Sequence, residues 1–121
     1  MTEVPVLKDA DASHPVPTIW RSSLTHLVEM VAGMLPSEEP GPFAMDDLIR
    51  WRSNISRYGA SIGGVPDESW ETSVVQWMDG YWDVLVDLFS ADGQRTDLVM
   101  SVQIFESESG YEFKVDSIHV P

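Results

Sequence analysis

The chain has no cysteine, and only seven of its 121 residues are Lys or Arg. The first absence removes disulfides and thiolate zinc sites from consideration. The second leaves twenty Asp and Glu almost unopposed, for a formal net charge of −13. Recognition of phosphate needs clustered basic side chains, so neither nucleic acid nor an anionic membrane surface is an expected partner. Long apolar runs are missing too, and none approaches the roughly 18 residues of a membrane span. The opening residues, Met1-Thr2-Glu3-Val4-Pro5, show neither the basic nor the apolar part of a secretory leader. These absences together point to a soluble, cytoplasmic single domain.

Catalytic and cofactor signals are equally sparse. Gly63-Gly64 stands without the Lys of a phosphate-binding loop or the spacing of a dinucleotide fingerprint. Asp92-Gly93 lacks the alternating oxygen ligands of a calcium loop. His14, His26 and His119 are widely scattered, and His119 has no Ser or Cys nucleophile pattern beside it. The expectation is a protein with no cofactor, no metal and no enzymatic activity.

What is present is apolar material in regular patterns. Hydrophobic residues make up 43%, with five Trp, four Phe and three Tyr, which suffices for a core without covalent staples. Residues 1–17 carry Pro5, Pro15 and Pro17 and no apolar period, and read as a flexible N-terminal arm. Residues 18–121 read as one domain. Trp20, Leu24, Leu27, Val28, Val31 and Leu35 recur at three- and four-residue steps, one face of an amphipathic helix. Thr18 is its expected N-cap, with Gly33 and Pro36 at its end. A loop follows from Pro36 to Phe43. A second helix starts near Met45, with Asp46 and Asp47 at the positive end of its dipole and Arg57 in its last turn. Leu48, Trp51, Ile55 and Tyr58 form its apolar stripe, and Gly59 is placed to end it.

After Gly63-Gly64-Val65-Pro66 the period changes from 3.6 to 2. Two strand-like runs, Ser73 to Met78 and Tyr81 to Phe89, are separated only by Asp79-Gly80. That dipeptide is a preferred hairpin loop, because both of its positions take positive φ. Turns at Ala91-Asp92-Gly93 and Glu108-Ser109-Gly110 bound two further runs, Leu98 to Phe105 and Tyr111 to Val120. The predicted fold is α+β, with two N-terminal helices packed on one face of a four-stranded antiparallel meander.

The hairpin sets the register, with Trp77 facing Trp82 at a non-hydrogen-bonded site. Val75, Trp77, Trp82, Val84, Val86 and Leu88 then share the face beneath the helices, continued by Leu98, Met100, Val102, Ile104, Phe113 and Val115. The opposite face collects the acids Asp83, Asp87, Glu112 and Asp116 together with Tyr81, Leu85, Phe89, Val99 and Phe105. An apolar centre ringed by polar groups is the composition of a binding surface. Asp83 and Asp87 are about 13 Å apart along one strand, too far to share an ion or a proton. The carboxylates therefore read as a rim, and the candidate partner-binding residues are Asp83, Asp87, Glu112, Asp116, Tyr81 and Phe89.

The stretch Trp70 to Met78, the run Trp82 to Leu88, Asp97-Leu98-Val99 and the closing Val120-Pro121 resemble a family of small acidic bacterial proteins. That family carries only a domain-of-unknown-function label, and the resemblance covers residue 18, approximately, to the end. It implies no activity and no site. As a type, a small acidic α+β domain resembles the immunity proteins of bacterial toxin systems, which neutralise toxins by binding them. The expected function is a non-catalytic module that binds a basic protein, a toxin or enzyme. Two alternatives stay open: a small-molecule-binding domain or enzyme with a cleft between the second helix and the sheet, and a homodimeric structural module.

Overall fold

The change of period near residue 66 marks the passage from a helical half to a sheet. The computed structural model describes residues 3–33, 43–59 and 61–121. Within them the order is β1 (His14–Pro15), α1 (Thr18–Val31), α2 (Met45–Tyr58), α3 (Ser69–Thr72), β2 (Val74–Trp77), β3 (Trp82–Phe89), β4 (Arg95–Ser107) and β5 (Gly110–His119). The sheet is antiparallel with strand order β1-β2-β3-β4-β5. Leu35, Pro36 and the expected loop as far as residue 42 lie outside the described residues.

The four predicted strands are present, and the correction to the expected sheet is a fifth. His14 and Pro15 pair with Val75 and Val74 and add an edge strand from the N-terminal arm. Two residues carry no alternating pattern, and the proline sits at a sheet edge, where a missing N–H costs nothing. The rest of the described arm also lies against the domain. Val16 is fully buried, Gln76 donates to the Ala10 carbonyl at 3.1 Å, and Trp82 Nε1 donates to the Leu7 carbonyl at 2.9 Å.

Thr18 does not cap α1 with its own hydroxyl, as the sequence suggests. Its Oγ1 accepts from the Val4 N–H at 2.8 Å, and its N–H donates to the Val4 carbonyl at 3.1 Å. The hydroxyl thus ties the arm to the helix start. At the other end of α1, Arg52 of α2 donates to the carbonyls of Val31 (2.9 Å) and Met30 (3.2 Å), capping one helix from its neighbour. Gly59 ends α2 in the left-handed conformation at φ 88°, as expected. Asn54 then fastens α2 to the sheet by donating to the Ile118 carbonyl at 2.9 Å.

The core forms where the helical stripes meet the predicted face of the sheet. Trp20, Leu24, Val28 and Val31 of α1 and Leu48 and Trp51 of α2 are buried against Trp82, Val84, Val86, Leu88, Met100, Val102 and Ile104. Along β5 the alternation breaks. Val115 pairs with Val102 and Ser117 with Ser101, so Asp116 is an extra residue and Ile118, not Ser117, returns to the core.

Trp77 pairs with Trp82, and the Met78 N–H reaches the Tyr81 carbonyl at 2.7 Å, closing a two-residue loop. Asp79 has φ 57° and Gly80 φ 146°. A Cβ on Gly80 would meet nothing within 4 Å, so substitution there isolates backbone strain from packing. Gly80→Val is expected to cost about 1–2 kcal/mol, read as a lowered denaturation midpoint. Wild-type stability in that variant would refute the positive-φ loop. Deleting residues 1–13 removes the acceptor of the buried Trp82 Nε1 and is expected to cost at least about 1–3 kcal/mol, measurable by urea denaturation.

Candidate functional site

α1 and α2 pack on one face of the sheet; on the other, Asp87, Phe89, Val99 and Ser101 are buried, and Tyr81, Asp83, Leu85 and Phe105 are half-buried. The register Trp82↔Ile104 places Tyr81 opposite Phe105, and the two rings stack at 5.5 Å with 26° between planes. Asp83, half-buried beside Ser101, comes next along β3, with the half-buried Leu85 beyond it, and the exposed Glu112, Lys114 and Asp116 complete this face from β5. Phe105 lay on the predicted face but outside the candidate residues, although extending the Trp77–Trp82 register by one strand is enough to pair it with Tyr81.

Two of the six candidates are built into the fold instead. Asp87 is only 9% exposed. Its carboxylate accepts from Thr72 Oγ1 and lies 3.6 Å from the Arg95 guanidinium. Its N–H donates to Ser73 Oγ at 2.9 Å, and its carbonyl accepts from Ser69 Oγ at 2.7 Å. Asp87 is thus the point at which α3 is fastened to β3. The signal for this was the cluster of hydroxyls Ser69, Thr72 and Ser73 just before β2, which a helix of four residues gives no period to mark. Phe89 is 5% exposed and lies beside the Gly63–Pro66 connection. The structure brings together Asp83, Glu112, Asp116 and Tyr81 on the open face and sets Asp87 and Phe89 apart from them.

Asp83 is electrostatically distinct. Desolvation raises its carboxyl above the ordinary value of 3.8; the Ser101 hydroxyl opposes this, and the nearby Asp116 charge adds to it. Asp116 is the extra residue at the bulge in β5, on the side of the sheet where alternation also places it.

His119 has a neighbour that the sequence reading passed over. Ser117 Oγ lies 2.8 Å from His119 Nδ1. A Ser–His contact is part of an acyl-transfer constellation, but such chemistry also needs an acceptor orienting the imidazole and converging oxyanion donors. Among the described residues the His119 imidazole makes no second hydrogen bond. It lines a shallow groove of about 330 Å³ between α2 and the sheet, with Asn54, Arg57, Tyr58, Leu98 and Val120. A second groove of about 490 Å³ lies on the other side of Tyr58, beside Arg95 and Gln94. Among the described residues no group of three or more His, Asp and Glu is placed to hold a metal ion. No helix among them is long and apolar enough to cross a membrane.

Residues 42–121 match a family described as a domain of unknown function, DUF7668. The chain belongs to this family. No curated protein and no solved structure matches it. The DUF7668 match is narrower than the expected span from about residue 18: it takes in α2, α3 and the strands β2 to β5, while α1 and the arm precede it. The open face, with Tyr81, Asp83, Phe105, Glu112 and Asp116, lies wholly inside the DUF7668 domain.

A titration prediction follows from Asp83. An acid whose folded value is raised binds its proton more tightly in the folded state, so stability falls as pH rises from the unfolded value through the folded one. Asp83→Asn removes that loss while keeping an acceptor for Ser101. The variant should be more stable than wild type near neutrality, and the difference should close as the pH falls toward 3.8. Urea midpoints at both ends of this range measure it, and a gain independent of pH would refute the buried-charge explanation.

Proposed function

We propose that this DUF7668 protein is a non-catalytic binding module that presents the open face of its sheet to a basic protein. The most concrete form is an immunity-type inhibitor that occupies the basic surface of a toxin or enzyme. The observation that carries this reading is the stacked Tyr81–Phe105 pair, with Glu112 opposite Phe105 on β5 and Asp83 next along β3 on the same face. Rigid aromatic anchors inside a charged rim are the composition of an interface with few dominant contacts.

The distribution of cations supports it. Lys8 is paired with Glu106, Arg50 with Asp47 and Arg95 with Asp87. Arg21 donates to the Val16 carbonyl and Arg52 to those of Met30 and Val31. Most of the seven basic side chains serve the fold, and the negative field of the remaining carboxylates reaches solvent with little compensation. A basic partner is drawn to such a surface, and a nucleic acid is repelled. The ligand-binding alternative rests on the groove that Arg57 and His119 line, and Arg57→Ala separates it from the main reading.

The test is capture and kinetics. A partner retained by wild type should be lost on Phe105→Ala and Tyr81→Ala, through faster dissociation. Neutralising Asp83, Glu112 and Asp116 together should slow association by about tenfold at low salt, with the effect shrinking as salt rises. Equal association rates at low and high salt would remove the open face from the reading.

A further inference from the structure

The two edges of the sheet are unlike. On one side β1 is two residues long and ends in Pro15, which blunts the edge. On the other, β5 runs for ten residues from Gly110 to His119 and, among the described residues, pairs only with β4. In an antiparallel ladder, alternate residues of an edge strand send both main-chain groups away from the sheet. Asn54 identifies which ones these are, because the Ile118 carbonyl that it contacts points away from β4. Ile118, Val115 and Phe113 face Met100, Val102 and Ile104 at equivalent positions of β4, so Tyr111, Phe113 and Val115 share that outward orientation. Among the described residues no backbone hydrogen bond from another element reaches these three.

We infer that this edge pairs with the β5 edge of a second copy of the chain, antiparallel about a two-fold axis at Phe113. Self-pairing in this register places Phe113 opposite its own copy and Tyr111 opposite Val115, giving three hydrogen-bonded residue pairs. It also places Glu112 of each copy opposite Lys114 of the other at a non-hydrogen-bonded site, where side chains approach most closely. Both side chains are exposed and neither has a partner among the described residues. Shifting the axis to Lys114 would set Lys against Lys and Glu112 against Asp116, so charge selects the Phe113 axis. The extra residue at Asp116 interrupts the ladder and limits pairing to residues 111–115. The resulting ten-stranded sheet leaves the Tyr81–Phe105 stack uncovered, although Glu112 is shared between this edge and the rim of the binding face proposed above.

The experiment is sedimentation of the full chain across roughly 10–500 µM, at about 0.3 M salt to screen repulsion between the two acidic copies. Wild type should show a reversible monomer–dimer equilibrium. Lys114→Glu sets like charges opposite each other twice and should weaken the dimer by about tenfold or more. The exchanged pair Glu112→Lys/Lys114→Glu should restore it. Amide exchange at Phe113 should slow with concentration in wild type and in the exchanged pair, and not in Lys114→Glu. A wild type that stays monomeric throughout overturns the inference. So does a dimer indifferent to Lys114→Glu, which would place the contact elsewhere.

Discussion

Trp82 is where the parts of this structure converge. Its backbone pairs Trp77 on one side and Ile104 on the other. Its ring meets Trp77 at 4.6 Å, Trp20 of α1 at 5.1 Å and Tyr111 of β5 at 5.8 Å. Its indole N–H holds the arm through Leu7, and the Lys8 ammonium sits 5.9 Å above its ring. Each ring contact is worth roughly 0.5–1.5 kcal/mol beyond area burial, but the larger consequence is geometric. Arm, first helix, hairpin and last strand all take their positions from one side chain. The buried Trp20 Nε1 has no hydrogen-bond acceptor among the described residues, and the α1 side of this junction is held by ring packing.

That dependence bears on how the family domain is completed in this chain. The DUF7668 match begins at residue 42, yet Trp82, Trp77 and Tyr111 inside it are covered by Trp20 and by the arm, which precede it. Without those N-terminal residues the same aromatic rings would face water. The Val4–Thr18 backbone pair and the Thr18 hydroxyl show how the cover is held. Lys8 adds a second attachment, over Trp77 at 5.2 Å and against Glu106 at 2.9 Å. This ion pair is exposed, so its contribution is small, and the apolar burial of Val16 and Val6 carries more of the docking.

What could be read from the sequence follows from where information is local. The Asp79-Gly80 loop is local, and it set the pairing of Trp77 with Trp82 and, through it, the two faces of β2, β3 and β4. Helix stripes are local, and Trp20, Leu24, Val28 and Val31 are buried as their spacing predicts. The arm was illegible because its attachment is non-local: Leu7, Ala10 and His14 engage residues more than sixty positions away through backbone groups that every residue possesses. Asp87 failed as a rim residue for a similar reason. Its parity was right, but the hydroxyl that takes it up belongs to a helix of four residues, too short for any period to announce. The bulge at Asp116 was hidden because Lys114, Asp116 and Ser117 alternate acceptably in either register.

The same acidic excess acts in opposite directions on the two surfaces. On the open face it favours a partner of the other sign at long range, and the Tyr81–Phe105 stack supplies the short-range contact that charge alone does not. At the β5 edge it opposes association, since each approaching copy carries the full negative charge. There the local arrangement of Glu112 against Lys114 must act within a few ångströms, inside the screening length of physiological salt, about 8 Å. Rising salt should therefore weaken the first contact and, by screening the global repulsion, strengthen the second. Lys114 links the two: the lone basic side chain among Asp83, Glu112 and Asp116 lowers the face's attraction for a basic partner. A residue that works against one surface while matching the other is better explained by the edge than by the face.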